Sequence, residues 1–132
     1  MDYVPPFEVI RSMLNLTTVR GETRVAMSYD QMQQMIRTLI AGIKVDEAWY
    51  LTRNPDVGEG IKAGTIASAR EHFIDHGFFE GRQPFPIKID ERFYLEHNPD
   101  VAETVRNGTY ASAQEHFDGP GYREGRPPFP LS

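Results

Sequence analysis

Histidine is the side chain best suited to chemistry near neutral pH, and this chain has four. His72 and His76 lie four apart on a predicted helix, with Glu71 and Asp75 beside them. A histidine pair at that spacing can grip one metal ion. The same stretch recurs 44 residues later, with His116 kept and Pro120 where His76 stood. No third ligand is marked, so a surface pair without metal is the expectation. Matching His72 and His116 point to a shared structural role, with a ring nitrogen bonding a nearby turn. Glu71-His72 and Glu115-His116 have acid–base types, but neighbours on a helix point about 100° apart. No nucleophile accompanies them.

Asp56, Asp100, Arg82 and Arg126 also hold their places in both stretches. The simpler expectation is an ion pair within each stretch, joining a helix start to a turn. The alternative is a polar ligand site present twice. Aromatic rings are the last class. Trp49, Tyr50, Phe93 and Tyr94 could stack on sugar rings, and Phe85 and Phe129 could do so from extended tails. At helical spacing such rings are more often core. The sequence lacks a P-loop, a G-x-G-x-x-G turn, a G-x-S-x-G elbow and an EF-hand loop. Neither catalytic residues nor a cofactor are expected.

The elements behind these residues come from an internal repeat, which decides how the whole chain is read. Val45 to Pro86 aligns with Ile89 to Pro130 without a gap, and 24 of the 42 positions are identical. Asp46 and Asp90 sit where helix N-caps belong. In Asn54-Pro55-Asp56 and Asn98-Pro99-Asp100, Asn suits the cap, Pro the first helical position and Asp the helix dipole. Gly64 and Gly108 suit a left-handed stop. Thr65 and Thr109 are then expected to cap a third helix, ended by Gly77 and Gly121. A Pro-Phe-Pro tail follows. The expected core is Tyr50, Leu51, Val57, Ile61, Phe73 and Phe85 in the first copy. Tyr94, Leu95, Val101, Val105, Phe117 and Phe129 match them in the second.

The organisation is therefore residues 1–44 as an N-terminal segment, 45–88 as repeat 1 and 89–132 as repeat 2. The expected fold is all-α, with two tandem three-helix repeats. In the N-terminal segment, Pro5-Pro6 precede a short helix, and Val19 to Val25 suit a small β-hairpin or a loop. Ser28 and Gln31 form a capping box. The helix behind it carries Tyr29, Met32, Ile36, Leu39, Ile40 and Ile43 on one stripe. Met32, Met35, Ile36 and Leu39 are the expected partner-binding surface, since Met packs adaptably. The alternative is a lid over repeat 1. Two repeats leave ends to cover, and self-association would cover one, so a homo-oligomer is expected.

Composition narrows the partners. There are 19 acidic and 14 basic side chains, a formal net charge of −5. That argues against a duplex nucleic-acid binder, which needs a basic face. The sequence has no cysteine, hence no disulfide framework and no thiolate zinc site. No apolar run is long enough to span a bilayer. No charged-then-apolar leader opens the sequence, so the cytoplasm is expected, with leaderless export left open.

The pattern D-x-x-x-Y-L-x-x-N-P-D-V, then G-T-x-A-S-A-x-E-H-F, then G-x-x-E-G-R-x-P resembles a bacterial module. Similar units stand in tandem in some cell-surface polysaccharide glycosyltransferases and in large secreted or calcium-binding repeat proteins. The resemblance covers residues 45–130, and the glycosyltransferase catalytic domain has no counterpart in this chain. It implies a helical, non-catalytic accessory unit in a surface-polysaccharide or secretion setting. The expected function is a small scaffold acting through protein contacts. A carbohydrate-binding module using the repeat aromatics is the runner-up, and a small metal-dependent enzyme stands behind both.

Overall fold

Ser28 and Gln31 close the expected capping box. The Ser28 Oγ accepts from the Gln31 N–H at 3.1 Å, and the Gln31 Oε1 accepts from the Ser28 N–H at 2.8 Å. The computed structural model describes residues 2–131. In it this box starts helix α2, Tyr29–Ile40. Ahead of it lie α1, Phe7–Arg11, and two antiparallel strands, β1 (Asn15–Val19) and β2 (Glu22–Ala26). Thr17 faces Arg24 and Val19 faces Glu22. Arg20 and Gly21 form the turn, with φ of 53° and 77°. Positive φ at both central residues marks a type I′ turn, whose twist suits a hairpin. The chain is thus mostly helical, with one small hairpin near its start.

After α2 comes α3, Glu47–Arg53, capped by the Asp46 carboxylate on the Trp49 N–H. Pro55 then opens α4, Pro55–Lys62, and Gly64 turns the chain at φ 80°. The next cap differs from expectation. Ser68, not Thr65, caps α5 (Ala69–His72), its Oγ accepting from the Glu71 N–H at 3.0 Å. The Thr65 hydroxyl instead reaches back to the Gly60 carbonyl at 3.1 Å. Thr65 therefore finishes α4 and leaves the start of α5 to Ser68. Helix α5 widens into a π-type turn over Phe73–Gly77.

The same order returns 44 residues on: α6 (Glu91–His97), α7 (Pro99–Arg106), α8 (Ala113–His116) and a second wide turn over Phe117–Gly121. Asp90 and Ser112 cap α6 and α8 as Asp46 and Ser68 do. Ser112 thereby replaces the expected Thr109.

Two small cores form. Tyr50, Val57, Ala69 and Phe73 make the first, with Ile40, Ile43 and Val45 packed against it. Ile89, Tyr94, Val101, Ala113 and Phe117 make the second, with Ile87 and Tyr122 against it. Tyr50 meets Phe73 edge-on at 87°, and Tyr94 meets Phe117 at 85°. Ile43 and Ile87 hold matching places, so the correspondence begins two residues before Val45 and Ile89. Phe85 and Phe129 lie outside both cores, and Phe129 is 41% exposed. The tails are fixed by backbone instead. The Pro84 and Pro128 carbonyls accept from the Asp46 and Asp90 N–H groups, each at 2.9 Å. Among the described residues, no helix is long and apolar enough to cross a membrane.

Candidate functional site

Three places collect the residues singled out above. The first lies inside each core. Tyr50, near the middle of α3, is fully buried, and its hydroxyl meets Nδ1 of His72 at 2.8 Å. Tyr94 and His116 repeat that contact at 2.8 Å. The Arg82 guanidinium grips both Asp56 carboxylate oxygens at 2.9 Å and the Asn54 Oδ1 at 3.0 Å. Arg126 does the same to Asp100 and Asn98. This fork on a carboxylate is the geometry that makes arginine pairing directional.

The asparagines at the N-P-D starts make no side-chain cap. Their amides turn back instead and donate to the Tyr50 and Tyr94 carbonyls at 2.8 and 2.7 Å. Each asparagine thus joins the end of one helix to the arginine of the closing turn. The expected pairing of Asp56 with Arg82 and of Asp100 with Arg126 is present.

Electrostatics follow from this burial. Burial pushes the Tyr50 and Tyr94 hydroxyls up to about 12. Burial, helped by the nearby Arg82 and Arg126, holds His72 and His116 below the usual histidine value. Hydrogen bonds from Arg82 and Arg126 hold Asp56 and Asp100 below the usual carboxylate range. At neutral pH each centre is a neutral tyrosine on a neutral imidazole, walled by an arginine–carboxylate fork. Tyr50 and Tyr94 offer no ring face to a sugar, because both are sealed from solvent. That corrects their place among the carbohydrate candidates and leaves Trp49 and Phe93.

His72 and His76 are neighbours, with ring centroids 5.7 Å apart. His72 commits Nδ1 to Tyr50, and its Nε2 lies 3.8 Å from Glu80. Among the described residues, no three His, Asp or Glu side chains converge to hold a metal ion.

The second place is a polar cleft of about 500 Å³ between the two halves of the repeat region. Trp49, Arg53, Arg82, Glu80, Tyr122 and Arg123 line it. Two arginines tie its sides. Arg53 donates to the Asp118 carbonyl at 2.8 Å, and Arg123 donates to the Glu80 carbonyl at 3.0 Å. The Arg53 guanidinium also lies over the Trp49 ring at 5.2 Å. Phe93 holds the place of Trp49 on α6, where His97 stacks on it with ring centroids 4.0 Å apart.

The third place is the N-terminal segment. Ile40 and Ile43 pack on the first core, and Arg37 lies over Phe79 while donating to the Asp75 carbonyl. The end of helix α2 and the residues after it thus pack against the first core. Met32, Met35, Ile36 and Leu39 remain half-exposed along the helix. Large apolar side chains are exposed mainly ahead of this helix. Among the described residues, eight of the eleven such exposed side chains lie between Tyr3 and Tyr29. Leu16, Val19 and Val25 sit on the hairpin, all ten of whose strand residues are exposed. Sequence reading missed this surface, although the β-branched run Thr17, Thr18 and Val19, with Thr23 and Val25 after the turn, was a visible strand signal.

No protein-family model matches the chain, and no curated protein or solved structure matches it either.

Proposed function

We propose that residues 45–88 and 89–132 are two tandem copies of one three-helix unit. Together they form a rigid scaffold that presents the N-terminal segment to a protein partner. The protein then acts without catalysis, through protein contacts, in the surface-polysaccharide setting that the repeat pattern implies. The observation that carries this reading is the crowding of exposed apolar side chains between Tyr3 and Tyr29. Leu16 and Val25 stand opposite each other across the hairpin on one exposed face, and exposed apolar groups that share a face mark a contact site. The polar side chains of the repeat centres, by contrast, satisfy one another.

Capture from cells that make the protein tests it. Full chain should retain a protein partner, and Phe7→Ser with Val19→Ser should lose it while folding normally. Retention by that double variant would remove the reading.

A second reading has one observation in its favour. Trp49 stands on the wall of the cleft, and it is the only tryptophan of the chain. Its fluorescence reports directly on a sugar entering there. A saturable change with oligosaccharides, matched by a heat of binding in calorimetry that Trp49→Ala abolishes, would favour carbohydrate binding.

A further inference from the structure

We propose that the β1–β2 hairpin is an arm that pairs two copies of this chain, the β1 edges meeting antiparallel about a two-fold axis at Thr17. This deepens the proposed function, and rests on its reading of the N-terminal segment as the contact surface.

The hairpin packs on no helix among the described residues, and every residue of both strands is exposed. A two-stranded hairpin standing alone in water is marginal, and a third or fourth strand is what steadies it. Both of its edges are open to such a strand.

The turn decides which groups point outward. With two residues in the turn, the flanking pair Val19 and Glu22 is the hydrogen-bonded one. Thr17 with Arg24 and Asn15 with Ala26 then bond inward too. Leu16 and Thr18 on β1, and Thr23 and Val25 on β2, keep their N–H and C=O groups directed away from the hairpin.

The two edges differ in charge. β2 carries Glu22 and Arg24, paired at 3.2 Å, and charged side chains of this kind guard an edge against pairing. β1 reads Asn-Leu-Thr-Thr-Val and has no charge at all. It is the unguarded edge.

Its outward groups are also self-complementary. With Thr17 opposite its own copy, Leu16 of each chain lies opposite Thr18 of the other. Both carry outward N–H and C=O groups, so the seam forms about four backbone hydrogen bonds. Leu16, Thr18, Thr23 and Val25 share one face of the hairpin, and pairing extends that face across four strands. Arg24 stays on the outer strands, away from its own copy, so like charges do not meet at the seam.

The absence of cysteine supplies the test. Thr17→Cys puts one thiol on the axis, across a pair whose Cα spacing is close to that of a disulfide. Copper phenanthroline should convert the full-length variant to a disulfide-linked dimer, two thiols giving one S–S bond as the oxidant takes two electrons and two protons leave. Arg24→Cys, on the outer strand, should stay unlinked. Sedimentation equilibrium should show a reversible dimer for the unmodified chain. Thr18→Pro removes an outward N–H without touching the hairpin's own ladder, and should weaken the dimer about tenfold or more. Thr23→Pro makes the same change on the other edge and should leave the dimer unchanged.

A monomer at every concentration, equal linking of the two cysteine variants, or equal loss with the two prolines would overturn the pairing. If a monomer still captures a protein through Phe7 and Val19, only the two-fold arm fails. If the arm dimer forms but that face captures nothing else, the partner-capture reading fails and the arm stands.

Discussion

Gly77 and Gly121 lie against the hydroxyls of Tyr50 and Tyr94, where a Cβ would overlap the phenol oxygen. Gly77→Ala should therefore cost about 1–3 kcal/mol in a urea titration, the usual toll of overpacking a filled core. Tyr50→Phe leaves the buried His72 Nδ1 without its partner and should cost about 1–3 kcal/mol. A neutral outcome would mean that the ring nitrogen finds water. The same centres set the acid response. His72 faces Tyr50, Glu80, His76 and Arg82, while His116 faces Tyr94, Tyr110, Glu124 and Arg126. Both are held below their ordinary value of 6.5, so the unfolded chain takes up protons first as pH falls. Their contribution is present above 6.5 and is lost between that value and the folded-state ones. Asp56 and Asp100 act in the same direction lower down, with stability present above 3.8 and lost as pH falls through their lowered values. Urea midpoints measured downward from pH 8 should fall in two limbs, and a rise on acidification would contradict the scheme.

Local signals were legible at the scale of single elements. Asp46, Asp90, Ser28 with Gln31, and the prolines at α4 and α7 could be placed because a cap bonds within three residues. Ser28→Ala should destabilise α2 by about 1 kcal/mol, seen as faster amide exchange over Tyr29 to Gln33. Ser68 was missed because Thr65 is an equally good cap by type, and only the folded path shows its hydroxyl bonding Gly60. The wide turns at Phe73 and Phe117 were not legible either. They accompany a tyrosine hydroxyl that fills the space beside Gly77 and Gly121, a long-range condition. The hairpin was foreseen as a possibility, but its exposure was not. Replacing Asn15 to Ala26 with a Gly-Ser linker should leave the urea midpoint of the helical part unchanged, because no helix leans on the strands. A large drop would show that the arm is part of the core.

The whole molecule depends on how the two halves meet. The sequence identity between them says nothing about this, since the tying residues sit where the copies differ. Arg53 stands opposite His97 in the alignment and Arg123 opposite Phe79. Each copy has different neighbours, so its outward residues diverge while its caps, cores and Arg forks are kept. The double change Arg53→Ala with Arg123→Ala removes both carbonyl contacts across the cleft. It should broaden the urea transition and lower its slope, as two half-independent units would, whereas an unchanged slope would place the coupling elsewhere. The central claim is a division of labour, with the repeats as scaffold and the segment from Tyr3 to Tyr29 as contact surface. The most direct measurement places a photo-crosslinking side chain in turn at Phe7, Val19, Trp49 and Phe93 of the full chain in its native cells. Protein adducts should form at Phe7 and Val19 and be absent at Trp49 and Phe93. Adducts confined to Trp49 and Phe93 would contradict the account.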